Sequence, residues 1–207
     1  MSRSKITHDV RNEVLILTNG KESEKNYFDL INKYYKSEYK INIEFLNGDP
    51  LYLANYAIGK NNKYNQIWIV VDVDDFQDRI VETRKKIKKY KNSINLILSN
   101  RSFEVWLLNH FSCFKKNCGK EELKKEINTQ LTKLKWSKSY EKSDIDLLET
   151  HFIHNLEDAV KNSKFAYQSL KKDYLICNNK NPDDLDLISI TQVYQLITSL
   201  KLKKRTR

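Results

Sequence analysis

Carboxylates crowd at one point of the chain. Asp72, Asp74 and Asp75, with Asp78 three residues on, follow directly upon the apolar run IWIVV at 67–71. While a chain is extended, side chains at i and i+2 share a face, so Asp72 and Asp74 can converge on one cation while Asp75 points away. Two carboxylate oxygens together with retained waters suit Mg²⁺, or Mn²⁺ in its place. The competing reading is that Asp74 and Asp75 cap the next helix and complement its dipole. Capping suits Asp75; a functional role suits Asp72, which closes an apolar strand.

Such a group needs a frame that brings further residues to it. The run 67–71 is rich in β-branched side chains and lacks polar alternation, the pattern of a strand buried on both faces in a parallel sheet. VLILT at 14–18 and INLIL at 94–98 repeat it. Ile41, Ile43 and Phe45 alternate with Asn42 and Glu44, which predicts a strand at a sheet edge. Helical spacing is read at Tyr27, Phe28, Ile31, Tyr34 and Tyr35, at Leu51, Leu53, Ala54, Ala57 and Ile58, and over 75–91 and 103–111. Strands alternating with helices predict a mostly parallel four-stranded sheet with right-handed crossovers. Beyond residue 111 only helices are read, over 120–134, 145–175 and 184–202. Parallel strands end on one edge, where ligands bind in open α/β sheets. That edge gathers Asn19, Glu22 and Glu24, then Asp72 and Asp74, then Ser99, Asn100 and Glu104. Clustered carboxylates that hold a divalent ion suit phosphodiester cleavage or phosphoryl transfer.

Charge points the same way, though less sharply. The 207 residues carry 37 Lys+Arg against 27 Asp+Glu, a formal +10, which favours a polyanionic partner and nucleic acid first. A Lys- and Asn-rich coding bias accounts for part of this excess. The run RKKIKKYK at 84–91 is a solvated helix face or, through Arg84, Lys85 and Lys88, a set of phosphate contacts. Three cysteines without a readable secretory signal lead us to expect a reducing cytoplasm. No apolar run nears the ~20 residues of a membrane span. His151 and His154 lack a third ligand, Cys113 and Cys118 lack a second pair, and His110 reads as a packed core histidine more than as a base, although its place close after Glu104 leaves a catalytic role open. The absence of a Gly-rich phosphate loop argues against an NTPase.

TNGKESEKNYF at 18–28, WIVVDVDDF at 68–76 and SNRSFEVWLLNHF at 99–111 resemble, in order and spacing, the motifs of the RloB-like proteins of bacterial restriction and abortive-infection loci. The resemblance covers most of the chain and extends to Asn181-Pro182 ahead of a last helix. It implies a Toprim-like core, a Mg²⁺ site built from a glutamate after the first strand plus a DxD motif, and a nuclease role in phage defence beside an AAA-type ATPase. On that resemblance Asp72 and Asp74 are metal ligands, and Glu104 falls at the family's Phe-Glu glutamate. Asn19, however, stands where the Toprim glutamate is expected, and Lys21 at the next acid. Asparagine offers a carbonyl oxygen but neither charge nor a base. Either Glu22 or Glu24 swings in, or Glu104 compensates, or catalysis has been lost. Arg101 and Ser102 replace the family's Pro and Cys; an arginine beside an acidic pocket can hold a phosphate, and Lys21 is a second candidate contact.

The expectation is therefore a flexible 1–12, a Toprim-like α/β core over 13–112 with a mostly parallel four-stranded sheet, a helical part over 113–202 packed on it, and a basic tail at 203–207. Its function is expected to be that of a Mg²⁺- or Mn²⁺-dependent nuclease of an anti-phage system, acting on DNA or RNA in the cytoplasm. The catalytic set is Asp72, Asp74, Glu104 and Glu22. An AAA-type ATPase partner and a homo-oligomer are compatible with it. The second expectation is a catalytically degenerate subunit that binds nucleic acid or regulates such an ATPase.

Overall fold

Four apolar runs become four parallel strands in the computed structural model, which describes residues 12–73, 76–178 and 189–205. In chain order the elements are β1 (Glu13–Thr18), α1 (Ser23–Tyr34), β2 (Tyr35–Lys36), β3 (Lys40–Phe45), α2 (Pro50–Lys60), β4 (Gln66–Asp72), α3 (Gln77–Ile87) and β5 (Ile94–Asn100). They continue as α4 (Glu104–Leu108), α5 (Lys120–Lys133), α6 (Ile145–His151), α7 (Leu156–Asn178), β6 (Ile190–Thr191), α8 (Val193–Ser199) and β7 (Lys203–Lys204). The main sheet runs β3-β1-β4-β5-β6, and the half-polar β3 lies at an edge as its alternation predicts. Thr18 stands opposite Val70, and Asp72 opposite Ser99, so β1, β4 and β5 finish nearly level.

Successive residues of these strands feed two cores. Val14 and Ile16 of β1 pack with α1, α4 and the later helices, while Leu15 and Leu17 pack with α2 and α3. Period-two alternation into two apolar layers is why the strands read as unbroken hydrophobic runs.

The structure departs from expectation in three places. Among the described residues the main sheet has five strands rather than four, because β6 pairs antiparallel to β5 through Ser99 with Thr191 and Asn100 with Ile190. Two β-branched residues thereby cover an edge that β5 would otherwise expose, which corrects the helix read over 184–202 to a short strand followed by α8. The helix read over 145–175 breaks into α6, a turn of 3₁₀ helix at Ile153–Asn155, and α7. Phe152 and Ile153 are both fully buried. A continuous α-helix would set them about 100° apart and aim only one squarely at the core. Lastly, part of the basic tail is a strand, β7, paired with β2. The 1–12 segment, apart from Asn12, and the Asn181-Pro182 break lie outside the described residues. Among the described residues no helix is long and apolar enough to cross a membrane.

Candidate functional site

The turn after β1 creates the site. Thr18 Oγ1 donates to the Gly20 carbonyl at 3.0 Å, and α1 begins three residues later, so its first turn lies over the end of the sheet. Glu24 is buried there at 5 % exposure. Its carboxylate lies where a Cβ on Gly20 would have to sit, so only glycine leaves it room. Asp72, the last residue of β4, is half-buried beside it. Glu24 and Asp72 line a cavity of 350 Å³ together with Asn19, Gly20, Ser23 and Lys142. Lys142 comes from the loop between α5 and α6, far along the chain.

Glu104, the first residue of α4, closes the group from beneath at 2 % exposure. Its carboxylate is fully engaged. Lys142 Nζ lies 3.0 Å from Oε1, the Tyr140 hydroxyl donates to the same oxygen at 3.1 Å, and the Ser102 hydroxyl donates to Oε2 at 2.6 Å.

Three acids around one ammonium do not titrate alike. Burial raises the Asp72 carboxyl well above the ordinary aspartate range, and the charges of Glu24 and Glu104 push it further, against opposing pulls from Lys142 and Lys120. Burial likewise raises Glu24, with Glu104 adding to it and its own backbone N–H and Lys142 opposing. For Glu104 burial pushes upward too, but the Lys142 charge and the hydrogen bonds from Ser102 and Lys142 outweigh it and hold the carboxyl below its ordinary value. Lys142 is raised because Glu104 outweighs its own desolvation. The pocket thus contains one fixed carboxylate and two that resist ionisation.

Asp72 and Glu104, both expected from the sequence, do belong to one acidic group. Asp74, with Asp75, lies outside the described residues. Glu22, expected in the catalytic set, is exposed at the cavity rim as the residue preceding α1, and Glu24 holds the buried position instead. A step of two residues turns the side chain by about 200° around a helix, which carries Glu24 inward and Glu22 outward. Lys21 is exposed and lines the rim. Arg101 is half-buried between β5 and α4, after a cis Asn100–Arg101 peptide bond, and does not line the cavity. Arg84, Lys85 and Lys88 are not brought to the pocket. Lys88 follows α3 and lies roughly 16 Å along the helix axis from Gln77, at 1.5 Å per residue.

Sequence reasoning missed Lys142, Tyr140 and Ser23. Lys142 sits in KSYEKSD, a polar loop without periodicity, and no local signal separates it from the other lysines. The three described histidines serve packing. His110 is buried against Tyr27, Trp106 and Phe152, while His151 meets Trp136 and His154 meets Tyr34 edge to face.

Among the described residues no group of three or more His, Cys, Asp or Glu is disposed to hold a metal ion. The donor chemistry still fits a hard divalent cation, because Asp72 and Glu24 are oxygen donors whose ionisation Lys142 and Lys120 compensate only in part. An ion that keeps several of its waters needs only one or two protein carboxylates.

Fold and site together define an α/β protein with a mostly parallel sheet and a buried acidic pocket at its carboxyl edge. The chain belongs to the RloB-like protein family, whose model matches residues 14–200. No curated protein and no solved structure gives a significant match.

Proposed function

We propose that this protein is a Mg²⁺- or Mn²⁺-dependent nuclease with a Toprim-like core, acting within a bacterial anti-phage system. The observation that carries this reading is the gathering of Glu24, Asp72 and Glu104, from three separate elements, at the carboxyl edge of the sheet beside Lys142. Asp72, with Asp74 beyond the described residues, is the pair that would hold the cation, and Glu24 completes the oxygen set. When bound, that ion supplies neutralisation of charge building on the phosphoryl oxygens and lowers the pKa of water. Glu24, on the cavity wall beside Asp72, is the group suited to take a proton from an attacking water. Glu104 acts at one remove, as a positioning residue that fixes Lys142. The net positive charge favours a nucleic-acid strand as substrate, and an AAA-type ATPase remains the partner implied by the family resemblance.

The test is cleavage of labelled plasmids and total RNA with and without Mn²⁺. Asp72→Ala and Glu24→Gln are each expected to lower metal-dependent cleavage by at least ~100-fold, and Glu22→Gln by less than ~3-fold. Full activity in Asp72→Ala refutes the assignment.

One observation favours a second reading, a degenerate subunit that binds nucleic acid or regulates the ATPase. Lys142 already supplies positive charge inside the pocket, and Asn19 stands at the family's glutamate. A large gain of cleavage in Asn19→Glu would support this reading over the first.

A further inference from the structure

Two donors in the pocket are left over once the cation is assigned to Asp72 and Glu24. The Ser23 hydroxyl is 1 % exposed, lines the cavity and has no hydrogen-bond partner of good geometry among the described residues. Its neighbour is the Tyr140 hydroxyl, whose own proton is given to Glu104 and whose oxygen is a weak acceptor for Ser23. A buried hydroxyl held only by so weak a bond can turn its proton to a better acceptor, an anionic oxygen above all. Lys142 is the second donor. Its ammonium has three N–H groups, spends one on Glu104, and stays 39 % exposed while Glu104 is buried. Both donors border the same 350 Å³ of space, which lies within the roughly 300–1,000 Å³ of small-ligand sites and is larger than a cation with its waters requires.

The ammonium cannot ligate a metal ion, and both groups can donate to an anionic oxygen. A free carboxylate ligand would meet three carboxylates of the protein and gain nothing from a cation that it could not gain in water. A phosphodiester differs, because one of its oxygens can face the cation at Asp72 while another faces the ammonium. We propose that Ser23 and Lys142 form the phosphate seat of this pocket, binding a backbone phosphate of a nucleic-acid strand on the side away from Asp72. This rests on the nuclease reading above and adds which residues hold the substrate. It also gives Glu104 its purpose: by pairing with Lys142 and accepting from Tyr140 and Ser102, it fixes the ammonium at the cavity wall. The α5–α6 loop thereby becomes part of the substrate site, although the acids all come from the first half of the chain.

Calorimetric titration of the full chain with thymidine 3′,5′-bisphosphate in the presence of Mn²⁺ tests the seat, and a separate titration with Mn²⁺ alone tests the cation site. Ser23→Ala, which removes a hydroxyl that makes no hydrogen bond of good geometry and so threatens the fold little, is expected to weaken the bisphosphate about fivefold, the effect of one ordinary hydrogen bond. Lys142→Met should weaken it at least ~10-fold, with Lys142→Arg restoring part of the loss. Mn²⁺ affinity should be unchanged in Ser23→Ala, and unchanged or tighter in Lys142→Met, since a repelling charge is gone. The two readouts move in different directions, so misfolding, which would abolish both, is recognisable; Ser23→Ala then decides alone. Wild-type protein that takes up Mn²⁺ but no bisphosphate overturns the seat, as do Ser23→Ala and Lys142→Met variants that bind it like wild type. Wild type that takes up no Mn²⁺ overturns the cation assignment instead, and the same comparisons made without metal decide the seat.

Discussion

At the scale of single residues, the pocket is a place where ionisation opposes folding. Asp72 is the clearest case, because its carboxyl is raised by burial first and then by Glu24 and Glu104. A group whose folded pKa exceeds its unfolded value contributes its full share of stability below the unfolded pKa and loses it as pH climbs through the folded one. The protein without divalent ions should therefore be less stable at pH 8 than Asp72→Asn, with the gap closing toward pH 4, where both side chains are neutral. Added Mg²⁺ should reverse the order at pH 8, because it binds the native carboxylates and not the amide. Thermal melts of both proteins at pH 4, 6 and 8, with and without Mg²⁺, check this. An Asp72→Asn variant that melts below wild type at pH 8 without metal would sink the electrostatic account of the pocket.

At the scale of elements, the site depends on how α1 and α4 are held together, since they carry Glu24 and Glu104. His110, just beyond α4, is the joint. Its Nε2 shares a hydrogen bond of 3.0 Å with the Tyr27 hydroxyl of α1, and Tyr27, Trp106 and Phe152 enclose its ring edge to face. Burial dominates its titration and pushes its pKa down to about 3, against weaker upward pulls from the backbone at Phe152 and Asn155. For a histidine held neutral the stability is present above the unfolded pKa near 6.5 and is lost as pH falls toward the folded value. Between pH 7 and pH 5 wild type should lose about 2 kcal/mol more in urea unfolding than His110→Leu, which has no such proton to take up. Equal losses would mean that the histidine is hydrated and not the joint described. Phe152 belongs to the same cluster, and Phe152→Ala should cost about 3–5 kcal/mol through the cavity it leaves.

At the scale of the molecule, the chain's two halves are interwoven rather than appended. The C-terminal part lends β6 to the sheet, lays Val193, Leu196, Ile197 and Leu200 into the core shared with β1 and α1, and returns β7 to β2. It also supplies Lys142 and Tyr140. A chain ending at residue 178 should therefore be insoluble or aggregated on size-exclusion chromatography, because it bares the β5 edge and an apolar face at once. A soluble, folded 1–178 would show that the second half is dispensable to the fold.

The sequence by itself determined the strands, their parallel arrangement and the edge at which chemistry gathers. Unbroken β-branched runs report burial on both faces, and an aspartate closing such a run must lie at the strand's end. It also brought Glu104 to the same edge as Asp72, because a glutamate four residues past the end of β5 has little freedom to be elsewhere. Only the tertiary structure decided between Glu22 and Glu24, two neighbouring acids of equal polarity whose difference is the direction in which a helix turns over the sheet. Only it revealed β6, whose two residues are too few to show a period. Lys142 is the strongest instance: its role comes from a buried carboxylate 38 positions earlier in the chain, and patterns of local spacing carry no information about which distant charge a surface lysine will meet.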